Sequence, residues 1–100
     1  MNKTIIKTTT DAISEDANGK EYGIYYHNDN VTTFEFVILS LVTVFSMSPE
    51  MATSLAMNIH QNGRGLVGIY SMDEAYEKVD LVDSLKKEFG AGLVITIEEI

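Results

Sequence analysis

From Tyr22 onward the apolar positions of this chain repeat with a period of either two or about 3.6, and each change of period marks a new element. In YGIYYH (22–27), Tyr22, Ile24 and Tyr26 alternate with other residues, which predicts a strand with those three side chains on one face. The spacing Thr32-Thr33-Phe34-Glu35 matches a capping box, with the Thr32 hydroxyl and the Glu35 carboxylate satisfying backbone donors, and predicts a helix from there to about Phe45. Ser48 before Pro49, the single proline, starts a second helix. Its apolar stripe is Ala52, Leu55, Ala56 and Ile59, and Asn62-Gly63 supplies a left-handed stop. GLVGIY (65–70) reads as a strand whose two glycines allow close approach of other backbone. A second capping box, Ser71 to Glu74, opens a third helix with Ala75, Val79, Val82, Leu85 and Phe89 at helical spacing and Gly90 after it. LVITIEE, from Leu93, returns to alternation, with Leu93, Ile95 and Ile97 on one face.

The order is β-α-α-β-α-β, an α+β fold in which three helices pack on one face of a small three-stranded antiparallel sheet. Residues 1–20 carry only Ile5, Ile6 and Ile13 among Thr, Asp, Ser, Asn and Gly, too little apolar surface to offset the entropy of ordering them. They read as a flexible N-terminal extension, with the folded domain spanning 21–100.

Composition narrows the function classes. One hundred residues, 45% of them hydrophobic, suit one modest core and leave no room for a second domain. A formal net charge of −8 argues against nucleic acid or an anionic membrane as partner. There is no cysteine, hence no disulfide framework and no thiolate chemistry, and the cytoplasm is the expected compartment. The longest apolar run, Phe34 to Phe45, is interrupted by Glu35, Ser40 and Thr43 and is too short to span a bilayer. The start MNKTIIKTTT lacks the apolar core of a secretory signal.

The stretch HNDNVTTFEFV (27–37) gathers His27, Asn28, Asp29 and Asn30 just before a helix. A turn accounts for some of these short polar groups, since Asn and Asp side chains bond the local backbone. His60, next to the core stripe of the second helix, reads on spacing alone as a partly buried histidine. Read together, YGIYYHNDNVTTFEFV, NIHQNGRGLVGIY and SMDEAYEKVDLV resemble the ClpS family of Clp protease adaptors, over about residues 22 to 98.

The resemblance implies a protein without catalytic residues, metal or other cofactor. Its members capture substrates whose N-terminal residue is a destabilising Leu, Phe, Tyr or Trp and deliver them to a AAA+ Clp unfoldase, ClpA-like or ClpC-like. It implies that Asn28, Asp29 and His60 bind the substrate's α-amino group, which as an ammonium brings three N–H donors and needs acceptors. Thr32, Phe34, Val37, Ala56, Ile59 and Leu93 match the walls of the family's pocket for the N-terminal side chain. Asp73 and Lys78 match positions used to dock on the unfoldase's N-terminal domain, residues 1–20 match the family's delivery extension, and a monomer is the family's usual state. The chain departs from the family pattern at Asn30 (usually acidic), Val31 (commonly aromatic), and Phe34 and Ala56 (both typically methionine).

Rival readings fare less well. A metal site from His27, Asp29 and His60 has the spacing of no standard motif. A hydrolase needs a nucleophile held by a base, and nothing in the sequence pairs a serine with His60. A diverged adaptor that docks on the unfoldase without normal N-degron binding, its pocket blocked by Phe34, is the main alternative. A structural domain like the C-terminal domain of the ribosomal stalk protein fits the topology but leaves the polar cluster unexplained.

Overall fold

The computed structural model describes residues 19–100. The elements are β1 (Tyr22–His27), α1 (Phe34–Phe45), α2 (Pro49–Asn62), β2 (Arg64–Tyr70), α3 (Met72–Phe89) and β3 (Val94–Glu99). This is the expected order. Of the extension expected over 1–20, residues 1–18 lie outside the described part, while Lys20 pairs with Glu99 at 3.5 Å.

The three strands form one antiparallel sheet in the order β2-β1-β3, with β1 in the centre. Tyr22, Ile24 and Tyr26 point inward from β1, opposite Ile97 and Ile95 of β3, and all are buried under the helices. The alternation that predicted β1 therefore also sets its register, because a one-residue slip would turn these side chains to water. Between β1 and β2 the pairing skips from Gly68 to Leu66, leaving Val67 as a bulge residue that turns into the core at 8% exposure.

Each helix start and stop has a local cause. Ser48 accepts from the Met51 N–H at 3.1 Å, with Pro49 in the first turn. Ser71 and Glu74 form the reciprocal box at the start of α3. Gly63 (φ 91°) and Gly90 (φ 67°) end α2 and α3 in the left-handed conformation that costs glycine nothing.

Four expectations change. The cap of α1 is Thr33, not Thr32: its hydroxyl accepts from the Phe36 N–H at 3.1 Å, so Glu35 falls one position early for a reciprocal bond. Leu93 is buried but precedes β3 rather than opening it. Phe89 ends the α3 stripe 57% exposed, leaning on Phe36 with ring centres 5.9 Å apart. The glycines of β2 make room for side chains rather than backbone: a Cβ on Gly65 would sit 2.8 Å from Ile59 Cγ1, and one on Gly68 would sit 2.7 Å from the Tyr70 ring.

Inside the core, Tyr26 donates its hydroxyl to Ser40 Oγ at 2.7 Å, and Ser40 donates to the Val37 carbonyl at 2.9 Å. Burial drives the Tyr26 hydroxyl far above its ordinary pKa, and the Ser40 bond opposes this only in part. The pair pins the centre of the sheet to α1, directly behind Val37.

Candidate functional site

The polar residues that follow β1 reach α2 through one backbone bond. The Asn28 N–H donates to the Gly63 carbonyl at 2.9 Å, so the end of β1 is tied to the residue that terminates α2, one turn beyond His60. Asp29 then folds its own segment, because Oδ2 accepts from both the Val31 and Thr32 N–H groups at 3.1 Å. This turn presents Thr32 inward and hands the capping role to Thr33.

The result is a cavity of about 350 Å³ bordered by His27, Asn28, Asp29, Asn30, Thr32, Phe34, Val37, Ala56, Ile59, His60 and Leu93. All nine residues expected to hold an amine or a side chain lie on it; His27 and Asn30 join them. Its base is apolar and buried, with Val37, Ala56, Ile59 and Leu93 each at most 8% exposed. Its rim is polar, with Asn28 and His60 exposed and Asp29 half-buried. An apolar cavity of about 150 Å³ already accepts a benzene ring, so one large side chain fits here with room for its backbone. Phe34 borders the space rather than filling it, its ring edge-to-face with His60 at 6.4 Å and 90°. Phe34 and one amine-binding candidate therefore brace each other. Thr32 Oγ1 is buried on this wall without a hydrogen-bond partner.

His27 links the cavity to the open face of the sheet. Its Nε2 lies 2.9 Å from Thr96 Oγ1, which lies 3.1 Å from Glu98 Oε2, and Glu98 receives two bonds from Arg64 at 2.8 and 3.3 Å. Arg64 in turn stacks on the Tyr25 ring at 4.1 Å. Burial raises the Glu98 pKa, but the bonds from Arg64 and Thr96 outweigh it and hold the carboxyl low. An ionised carboxylate only accepts, so Thr96 must donate to Glu98 and His27 Nε2 must donate to Thr96. Burial, and after it the Arg64 charge, hold the His27 ring below its ordinary 6.5, with Glu98 pulling the other way. Nothing local in the sequence signals this network; it depends on strand register, which sets His27 opposite both Arg64 and Val94. Among the described residues, no three His, Asp or Glu side chains come close enough to hold a metal ion.

Asp73 and Lys78 lie on α3, away from the cavity. Lys78 is half-buried and donates to the Val44 carbonyl at 3.1 Å, in the last turn of α1, where the helix dipole favours a cation. Its ammonium also lies about 6 Å from the Phe45 and Tyr70 rings. The bond from Lys78 to Val44 fixes α1 against α3.

The chain matches the model of ClpS, the ATP-dependent Clp protease adaptor protein, over residues 17–96. It is 39% identical to the ClpS adapter protein of Desulforapulum autotrophicum over 101 residues, covering 99% of this chain and 97% of that one. It is 38% identical to that of Lawsonia intracellularis over 81 residues, covering 81% and 74%. Among solved structures it is similar to Agrobacterium tumefaciens ClpS2 bound to L-phenylalaninamide, with a TM-score of 0.77 and 33% identity over 81% of this chain and 98% of that one. The matched residues contain the whole cavity and every element that builds it, and this chain belongs to the ClpS family of Clp protease adaptors.

Proposed function

We propose that this protein captures substrates by a free N-terminal residue with a large apolar or aromatic side chain and delivers them to a AAA+ Clp unfoldase. The observation that carries the reading is the cavity itself, an apolar base of one-side-chain size beneath a rim of acceptors. A substrate's terminal ammonium offers three N–H donors, which Asn28 Oδ1, Asp29 and a neutral His60 nitrogen accept. Asp29 contributes the charge, while its Oδ2 stays engaged with the turn. The first side chain enters between Phe34 and Ala56 and rests on Val37, Ile59 and Leu93, where water is displaced from apolar walls. The similar structure of ClpS2 with L-phenylalaninamide, an aromatic residue with a free amine, supports this assignment. No bond is broken or formed; the protein's work is recognition and hand-over. Asp73 and Lys78 are the proposed contact with the unfoldase, one Lys78 proton being held by Val44 and the others available to a partner carboxylate.

Calorimetric titration with a Phe-initiated peptide and its N-acetylated twin tests the reading. Acetylation removes the charge and two of the three donors, and should cost at least ~3 kcal/mol. Equal affinity for both peptides would refute amine recognition.

A further inference from the structure

The first turn of α1 and the residues leading into it stand between two hollows. Thr32, Phe34 and Val37 face the amine cavity, whereas Val31, Thr33, Glu35, Phe36 and Leu39 line a second groove of about 290 Å³. Phe89 and the turn after α3 close its far side. The groove is apolar and open. Val31 is 69% exposed, Leu39 36% and Phe89 57%, around the buried Phe36 ring as a floor. Glu35 is the one charged side chain on its lining. Nothing in the fold needs Val31 or Phe89 outside, and a monomer gains no stability from leaving three large apolar groups together in water.

We propose that this groove receives residues close behind the N-terminal one in a bound substrate, out to about the fourth. It would take an apolar side chain between Leu39 and Phe89 and a basic one beside Glu35. The inference rests on the reading of the first cavity as the amine site, and extends it from one residue to a short sequence. Three features favour the substrate chain as occupant. The partition is one helix wide, roughly 10 Å, so an extended chain crosses it in about three residues. The groove shares its wall with the polar rim where the substrate's backbone must leave the first cavity. Its single charge is negative, on a chain of net charge −8, so a basic residue is drawn to it and an acidic one repelled.

The two hollows can be read separately because L-phenylalaninamide is too short to reach the groove. Affinities would be measured for this compound and for Phe-initiated heptapeptides carrying Leu or Ser, and Lys or Glu, at positions two to four. The wild type, Phe89→Ser, Leu39→Ser and Glu35→Gln would be compared, with circular dichroism to verify folding. A Leu-bearing peptide should bind the wild type roughly tenfold tighter than its Ser counterpart, the scale of one partly buried apolar side chain. Phe89→Ser and Leu39→Ser should erase that difference while leaving L-phenylalaninamide within twofold of wild type. Glu35→Gln should erase the preference for Lys over Glu. The inference is overturned if positions two to four do not alter affinity, or if they do but the groove variants keep the difference. It is also overturned if Phe89→Ser changes only self-association in sedimentation or only affinity for the unfoldase, since the groove then belongs to a second copy or to that partner. If the wild type does not bind L-phenylalaninamide, the amine-site reading itself has failed.

Discussion

Asp29 has two jobs in this reading, and they can be separated by two substitutions. Its Oδ2 accepts from the Val31 and Thr32 N–H groups, which holds the turn, while its charge faces the proposed ammonium. Asp29→Asn keeps an acceptor oxygen of the same shape. The two backbone bonds change from charge-assisted to neutral, and with the Val31 bond exposed to water the fold should lose ~1 kcal/mol or less. Binding should lose the charge, worth about 1.5–3 kcal/mol, which is roughly 10- to 150-fold in Kd. Asp29→Ala removes the turn acceptor as well, and should cost about 1–2 kcal/mol of stability, comparable to losing a helix cap. Urea unfolding reports the first quantity, and titration with L-phenylalaninamide the second. The expected pattern is a nearly native Asn variant that binds poorly beside an Ala variant that is both weaker and less stable. If Asp29→Asn binds as tightly as the wild type, Asp29 is a turn residue only, and the ammonium is held by Asn28 and His60 without a fixed negative charge.

Pocket selectivity tests the two departures from the family's usual methionines: Phe, Tyr or Trp should be preferred over Leu at the first position by ~1 kcal/mol. Phe34 puts a stiff ring where a flexible methionine is usual and so should clash with a branched β-carbon, and Ala56 opens space across from it. Ala56→Met should shift the preference toward Leu and Phe34→Met should admit Ile, both read from a peptide panel, and no change in ranking in either variant would make the two positions core packing only. Ser40→Ala should destabilise more than Tyr26→Phe in chemical unfolding. The first strands a buried hydroxyl donor at about 1–3 kcal/mol, and the second leaves Ser40 bonded to Val37 at a cost of ~1 kcal/mol. Acid should weaken the fold through His27: a ring whose pKa is lowered on folding binds more protons when unfolded, so stability falls as pH drops below about 6.5 toward the folded value. Thermal unfolding between pH 7 and 5 should show a shallower slope in His27→Gln, and an unchanged slope would mean that burial and the Arg64 charge do not hold the His27 ring below its ordinary value.

What the sequence determined alone is what spans a few residues. The caps at Ser48 and Ser71, the stops at Gly63 and Gly90, and the inward faces of β1 and β3 all depend on neighbours within about one helical turn or two strand positions, so periodicity and residue type suffice. The family motifs belong to the same level, because each is a short run read in order. Contacts between distant segments decided the rest. On paper the spacing to Glu35 favours Thr32 as the cap, and only the Asp29 turn, drawn to α2 by the bond from Asn28 to Gly63, selects Thr33 and turns Thr32 toward the cavity. The bracing of Phe34 by His60, the bond from Lys78 to the end of α1 and the line from His27 to Arg64 each join residues 26 or more positions apart. The second groove has no sequence signal, since Val31, Leu39 and Phe89 gain meaning only when α1 and the end of α3 lie side by side. Local backbone preferences choose elements; which side chains share a cavity is settled by the one arrangement in which the inward faces of sheet and helices bury one another.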